Sequence, residues 1–435
     1  MIAVLDGRNR SAGELAADLE GRRPRLGGAV RIVRRIVASV RQGGDAAVAD
    51  WQERLGGVRP QPLWLDREAI HRGGRRVDPG LSQSLRRAYD QIRRFHARQV
   101  QSGYEVALDR YGSRAGQREV PLDRAGIYVP GGPSGYPSTV LMGAAPARLA
   151  GVREIVVATP PAPGTTGPPP SVLAAADLAG VSEILVAGGA QAIAALAYGT
   201  ESARPVDRIV GPGNAYVTAA KLLCQDRTAI DGIAGPSEVV VLADGSFPAD
   251  WVAAELIAQA EHAPDAWGGA ILVGTDSATD VMEAVRRRLL GHPASRAVQQ
   301  TLRRYGWIVT GLDRSAALEL ANRLAPEHLA LGLRRSRIAL RGIRAAGCVF
   351  VGPRTPVPMG DYGAATNHIL PTLGFARARG ALGVADFRRT ISYLRLSAPY
   401  LARHADPAIR LAQSEGFVGH AEAIAARRRR SLEGR

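Results

Sequence analysis

From Asp123 onward the chain alternates short β-branched apolar runs with helical segments, and glycine or proline bounds each run. Arg124–Val129, Glu154–Ala158, Glu183–Ala187 and Glu238–Leu242 are four such runs; Ala270–Val273, Trp307–Thr310 and Cys348–Val351 are three more. A continuous apolar run without polar alternation belongs to a strand covered on both faces. Strands of that kind joined through helices build parallel sheets, because a parallel connection needs a crossover. The expected fold class is therefore α/β with parallel sheets. At roughly 100–200 residues per domain, 435 residues suggest about two to four domains.

The two ends read differently. In the first hundred residues Val30, Ile32, Val33, Ile36, Val37 and Val40 recur at helical spacing until Gly43-Gly44-Asp45 interrupts them. Leu85 to Val100 repeats the pattern, with Tyr89, Ile92 and Phe95 on one stripe. From Arg377 the strand texture is lost, and a helical, arginine-rich C-terminal subdomain is expected. The proline-rich stretch Thr159–Pro170 reads as a surface connector before a helix starting near Ser171.

Composition narrows the function classes. A hydrophobic fraction of 46% excludes disorder as the main state. No run of about 18 apolar residues is present, so no membrane span is expected. Met1–Arg10 lacks the pattern of a secretory signal, and a cytoplasmic location is expected. Cys224 and Cys348 form no CxxC pair, which excludes a disulfide framework and a cysteine-rich zinc finger.

The net charge of +16 raises a nucleic-acid hypothesis, since basic side chains neutralise phosphates and release counterions. Yet Lys221 is the single lysine, and the arginines spread along the chain apart from Arg427–Arg430. Aromatics at 5% leave few stacking platforms for bases. No nucleic-acid partner is expected; a non-catalytic nucleic-acid-binding protein on the same fold stands as the alternative from another class.

Three polar clusters carry candidate chemistry. Gln259 and His262 are three apart on an apolar helix, so an amide oxygen and an imidazole nitrogen can face one metal ion. The plainer reading is a helix C-terminus whose last histidine precedes Ala263-Pro264. Glu327 and His328 offer two proton-transfer groups with separable pKa values at a loop-to-helix junction. The plainer reading there is Pro326 opening a helix with Glu327 at its positive end. Asp361, with Asn367-His368 beyond it, can supply a carboxylate to an N/O donor set suited to zinc or manganese, the plainer reading being a turn aspartate and a loop histidine. Glu415 and His420 lie five apart before a final helix.

Glycine turns at Gly131-Gly132, Gly188-Gly189 and Gly211-Pro212-Gly213-Asn214 each follow an apolar stretch. Such turns open a ligand crevice at strand carboxyl ends. Serine-hydrolase, P-loop and HExxH motifs are all absent.

Taken together, GIYVPGG (Gly126–Gly132), PSTVLM (Pro137–Met142), GGAQAIAALAYGTE (Gly188–Glu201) and VGPGNAYVTAAK (Val210–Lys221) resemble the histidinol dehydrogenase family. AGPSEVVVLAD (Ala234–Asp244), AQAEH (Ala258–His262), APEHL (Ala325–Leu329), GDY (Gly360–Tyr362) and NHILPT (Asn367–Thr372) extend the resemblance over about residues 30–425. Three stretches differ from the usual pattern: Ala365, Asp231-Gly232-Ile233 and Ala376–Gly380.

The resemblance implies an NAD-dependent four-electron oxidation of L-histidinol through the aldehyde to L-histidine, with zinc anchoring the substrate. It places metal ligands on Gln259, His262, Asp361 and His420, and the acid/base pair on Glu327 and His328. Substrate contacts fall on Ser237, His328, His368 and Glu415 besides the metal ligands, and NAD contacts on Tyr128, Gln191 and Asn214. A paralogue acting on another amino alcohol or polyol is the nearer alternative.

The implied fold is two incomplete Rossmann-like parallel-sheet domains with small helical terminal segments. Residues 1–24 form the N-terminal segment, 25–128 with 238–376 the first domain, and 129–237 the second. Residues 377–435 reach the partner's site in a homodimer, so that sites are completed across the subunit boundary.

Overall fold

The computed structural model describes residues 2–24, 28–132, 134–274 and 278–433. Met1, Arg25 and Arg435, where expected segment limits fall, lie outside the described residues, as do the side chains of Arg429 and Arg430 in the basic run. The chain forms two compact units, residues 1–99 with 122–387, and 100–121 with 388–435.

Fifteen strands form among the described residues, beginning with β1 (Ala3–Asp6), β2 (Trp64–Leu65), β3 (Tyr104–Ala107), β4 (Arg114–Pro121) and β5 (Arg124–Tyr128). Next come β6 (Glu154–Ala158), β7 (Glu183–Leu185), β8 (Arg208–Val210), β9 (Ala229–Ile230) and β10 (Glu238–Asp244). The last are β11 (Trp267–Val273), β12 (Gly306–Leu312), β13 (His328–Gly332), β14 (Cys348–Val351) and β15 (Arg388–Arg395).

The first unit holds two six-stranded sheets. One runs β1-β12-β11-β10-β13-β14 with every pair parallel. The other runs β2-β7-β6-β5-β8-β9 and is parallel except for β2 against β7.

Period-two alternation sends neighbouring side chains to opposite faces, and both faces are apolar. Val239 and Val241 pack with Val252 and Leu256 of helix Ala249–Glu261. Val240 and Leu242 pack with Leu15, Leu19 and Leu320 of helices Ala12–Gly21 and Arg314–Leu324. In the second sheet Ile127, Ile155 and Val157 meet helices Pro79–His96 and Pro137–Ala150. Val156 and Leu185 meet helices Val30–Gly56 and Gly189–Tyr198. Each aliphatic side chain so buried contributes roughly 1.5–3 kcal/mol over exposure, which is why these runs commit to strands.

All seven apolar runs form strands, and the two-sheet α/β class holds. Several readings need correction. The first hundred residues are not helical throughout: β1 pairs with β12 and β2 with β7. β1 is an edge strand buried on one side only, and β2 has two residues, so neither leaves a continuous apolar run. Helices within residues 30–96 pack on the second sheet.

On helix Pro79–His96, Phe95 is exposed and His96 turns inward in its place. There His96 pairs with Gln99 at 2.8 Å and Asn367 at 3.2 Å. No helix starts at Pro326: Ala325 ends helix Arg314–Leu324 in a left-handed conformation, and β13 opens at His328. The tail is not helical throughout either. β15 pairs antiparallel with β4, and its arginines and exposure hide the strand signal.

The second unit is the antiparallel sheet β15-β4-β3 with a hairpin of helices, Ala398–Ser414 and Val418–Glu433. Ser397 caps the first of them by accepting from Tyr400 N at 3.2 Å. Among its described apolar side chains only Ala405 and Ala421 are buried, while Leu394, Leu411, Phe417 and Val418 are more than half exposed. No helix is long and apolar enough to cross a membrane among the described residues.

Candidate active site

In the first unit, the two sheets frame a cavity of about 440 Å³. The second sheet presents strand carboxyl ends: Tyr128 closes β5, and the turn Gly211–Asn214 follows β8. The first sheet presents strand amino ends, with Ser237 just before β10 and Glu327 and His328 at the start of β13. His262 arrives at the C-cap of helix Ala249–Glu261, and Asp361 on the short helix Pro358–Tyr362. His368 comes from the loop beyond it.

Glu327 is buried and its Oε2 accepts from Ser237 Oγ at 2.8 Å and from Glu238 N at 2.7 Å. Burial nevertheless dominates and pushes its carboxyl up to about 8. His328 places Nδ1 2.9 Å from the Glu238 carbonyl oxygen. A carbonyl only accepts, so Nδ1 carries the proton and Nε2 keeps its lone pair. Burial also lowers the His328 pKa, against the pull of Asp361 and of that carbonyl. The pair thus holds a neutral imidazole beside a carboxyl that keeps its proton near neutrality, with 3.5 Å between His328 Nδ1 and Glu327 Oε2.

Asp361 Oδ1 lies 3.6 Å from His368 Nδ1, and His368 Nε2 lies 3.2 Å from Thr139 Oγ1. Burial raises Asp361 to about 6. Burial, then the neighbouring His328 and His262, lower His368 to about 4. Gln259 is buried outside the cavity lining, and its amide nitrogen has no hydrogen-bond partner. Among the described residues no group of three or more His, Cys, Asp or Glu is arranged to hold a metal. Of the four expected metal ligands the first unit supplies His262, Asp361 and the Gln259 amide, while His420, like Glu415, belongs to the second unit.

On the second sheet, Tyr128 is buried and its hydroxyl accepts from Gly189 N at 3.0 Å. Gln191 turns away from the cavity lining and donates to Gln52 Oε1 at 3.3 Å. Asn214 caps helix Ala215–Leu223, where its Oδ1 accepts from Tyr216 N and Val217 N at 3.0 and 3.1 Å. Capping occupies that oxygen and leaves the amide nitrogen for another acceptor. Glu415 ends helix Ala398–Ser414, and His420 stacks on Phe417 with ring centroids 5.0 Å apart; both are exposed.

Two supporting residues escaped the motif reading. Glu238 is fully buried, and its Oε1 accepts from Leu373 N at 2.9 Å and faces Arg23 Nε at 3.4 Å. Thr139 holds His368. Glu238 stands inside the Pro236-Ser237-Glu238 string beside a proposed contact, but only burial distinguishes it from an ordinary strand start.

A neutral histidine base and a buried carboxyl share one cavity with glycine turns at parallel-strand ends. By family the chain is an α/β oxidoreductase acting on alcohol and aldehyde groups with NAD. The sequence model of the histidinol dehydrogenase family matches residues 23–428, and the chain belongs to that family. It is 45% identical over 434 residues to histidinol dehydrogenase of Moorella thermoacetica, covering 98% of this chain and 99% of that one. It is 42% identical over 394 residues to the Methanothermobacter thermautotrophicus enzyme, covering 91% and 92%. The crystal structure of histidinol dehydrogenase from Elizabethkingia anophelis superposes with a TM-score of 0.91 at 30% identity, covering 99% of both chains.

Proposed function

We propose that the cavity oxidises L-histidinol to L-histidine through histidinaldehyde, reducing two NAD in succession. The observation that carries this reading is the His328 Nδ1 bond to the Glu238 carbonyl at 2.9 Å, which leaves Nε2 basic beside Glu327. In the first step His328 takes the hydroxyl proton while the carbinol hydride passes to the nicotinamide, leaving the aldehyde. In the second, ionised Glu327 removes a proton from water as it adds to the aldehyde, and the hydrate gives its hydride to a second NAD. Ser237 and His368 line the cavity where substrate polar groups would sit. Tyr128 and Asn214 line the dinucleotide side, and Gln191 would serve it indirectly, by donating to the Gln52 Oε1 that also accepts from Gly188 N.

Zinc would be held by Gln259, His262 and Asp361 with His420, and when bound it anchors the amine and imidazole of the substrate. The donor chemistry supports that fit, because zinc takes imidazole nitrogen together with carboxylate or amide oxygen. Purified protein should yield about two NADH per histidinol, and a chelator should stop turnover until zinc is restored. Metal-loaded, folded protein that forms no NADH from histidinol would overturn the proposal and favour a paralogous substrate.

The proposal includes a homodimer in the cytoplasm, with Glu415 and His420 completing the partner's site. The second unit supports it, because a unit that buries almost none of its own apolar side chains needs a cover. Mixed dimers of His420→Ala and Glu327→Gln chains provide the test. Shared sites should restore full oxidation in one of the two sites, whereas sites built within single chains would leave the mixture unable to complete the second oxidation.

A further inference from the structure

The single lysine of the chain lies under the dinucleotide side of the cavity with 0% exposure. Its Nζ donates to Gly211 O at 2.5 Å and to Asp231 Oδ1 at 2.8 Å. The other carboxylate oxygen, Asp231 Oδ2, accepts from Gly211 N at 2.7 Å. One buried ion pair therefore grips both polar backbone atoms of one residue.

Gly211 needs that grip. Its φ is +119°, and a Cβ there would come within 2.1 Å of Tyr128 O, so only glycine fits against the end of β5. Glycine has the most conformational freedom to lose on ordering, and nothing in its own side chain restrains it. Gly211 begins the turn that carries Pro212, Gly213 and Asn214 onto the cavity wall.

A buried ion pair is a weak device for stability alone, since a well-packed apolar pair of similar volume serves as well or better. What an apolar pair cannot supply is two directed bonds to a chosen peptide unit. The ammonium suits the slot because it is a compact point charge, where the flat arginine fork used elsewhere in the chain would need more room.

We propose that Lys221 and Asp231 are positioning residues that fix the Gly211–Asn214 turn in the shape that receives NAD; this rests on the reading of the cavity as the dinucleotide site. Preorganisation of this kind acts on cofactor affinity. The test is NADH titration by nicotinamide fluorescence on the full chain, for wild type, Lys221→Met and Asp231→Asn, with thermal melts and steady-state kinetics.

Folded variants should bind NADH about tenfold or more weakly, raise KM for NAD more than they lower kcat, and keep KM for histidinol within about twofold. Variants that melt like wild type and bind NADH equally would overturn the clamp alone. Losses spread evenly over kcat and both KM values would reduce it to a packing role and overturn it too. If Lys221→Met does not fold, Asp231→Asn, which keeps the shape and removes the charge, decides by the same readouts. A wild type that binds no NADH would instead overturn the reading of the cavity, and the clamp with it.

Discussion

Glu327→Gln should stall the reaction at the aldehyde, with histidinol oxidised once and the second NADH slowed about 10²–10⁴-fold, the usual worth of a positioned general base. The amide keeps the shape that Ser237 Oγ and Glu238 N bond to, so His328 and the first oxidation are largely spared. Single-turnover NADH counting separates the two hydride transfers. The pH profile carries the same signature. Burial holds the Glu327 carboxyl up to about 8, and only its ionised form can accept a proton from water. The second oxidation of the native chain should therefore climb as pH rises toward about 8, and the variant should lose that rise. Equal slowing of both transfers would remove Glu327 from the water step.

Arg23→Met should cost about 3–5 kcal/mol, a large part of the ~5–15 kcal/mol that holds a typical protein folded. Arg23 lies over the Trp267 ring at 4.7 Å, donates to Leu324 O at 2.5 Å and faces the buried Glu238 carboxylate. Removing it strands that carboxylate. Burial raises Glu238 to about 7, with Arg23 pulling the other way and Glu327 adding to the rise. A group whose folded pKa is raised gives stability that is present below about 4.5 and lost as pH rises through about 7. Without Arg23 the carboxyl rises further, so the penalty should grow with pH. Denaturant melts at pH 6 and pH 8 check this; a penalty that is flat or shrinks with pH would show that the pair is not what Arg23 provides.

Much of this was legible before any coordinates. Six of the seven apolar runs are strands buried on both faces, and that leaves a mark in sequence; the seventh, Cys348–Val351, is a half-buried edge strand betrayed by its valines. β1, β8, β9 and β15 lacked the mark, being short, half-exposed or rich in arginine, whereas β13 is buried throughout but its HLALG run carries no β-branched residue. Gln259 and His262 fell at a helix end as their spacing implied, yet Gln259 alone gave no sign that its amide would be left unpaired. Glu238, Arg23 and Lys221 act through burial and long-range pairing, which no local pattern encodes. Gln191 shows the converse: a motif residue whose side chain the fold spends on Gln52.

The cavity borrows carboxyl strand ends from one sheet and amino strand ends from the other, and this gives it an internal field. Helix Ala215–Leu223 brings its N-terminus, capped by cavity-lining Asn214, to one wall; helix Ala249–Glu261 brings its C-terminus, at His262, to another. Helix macrodipoles make the first wall electropositive and the second electronegative, each by about half an elementary charge. An anionic pyrophosphate and a cation entering together are thereby sorted to opposite walls.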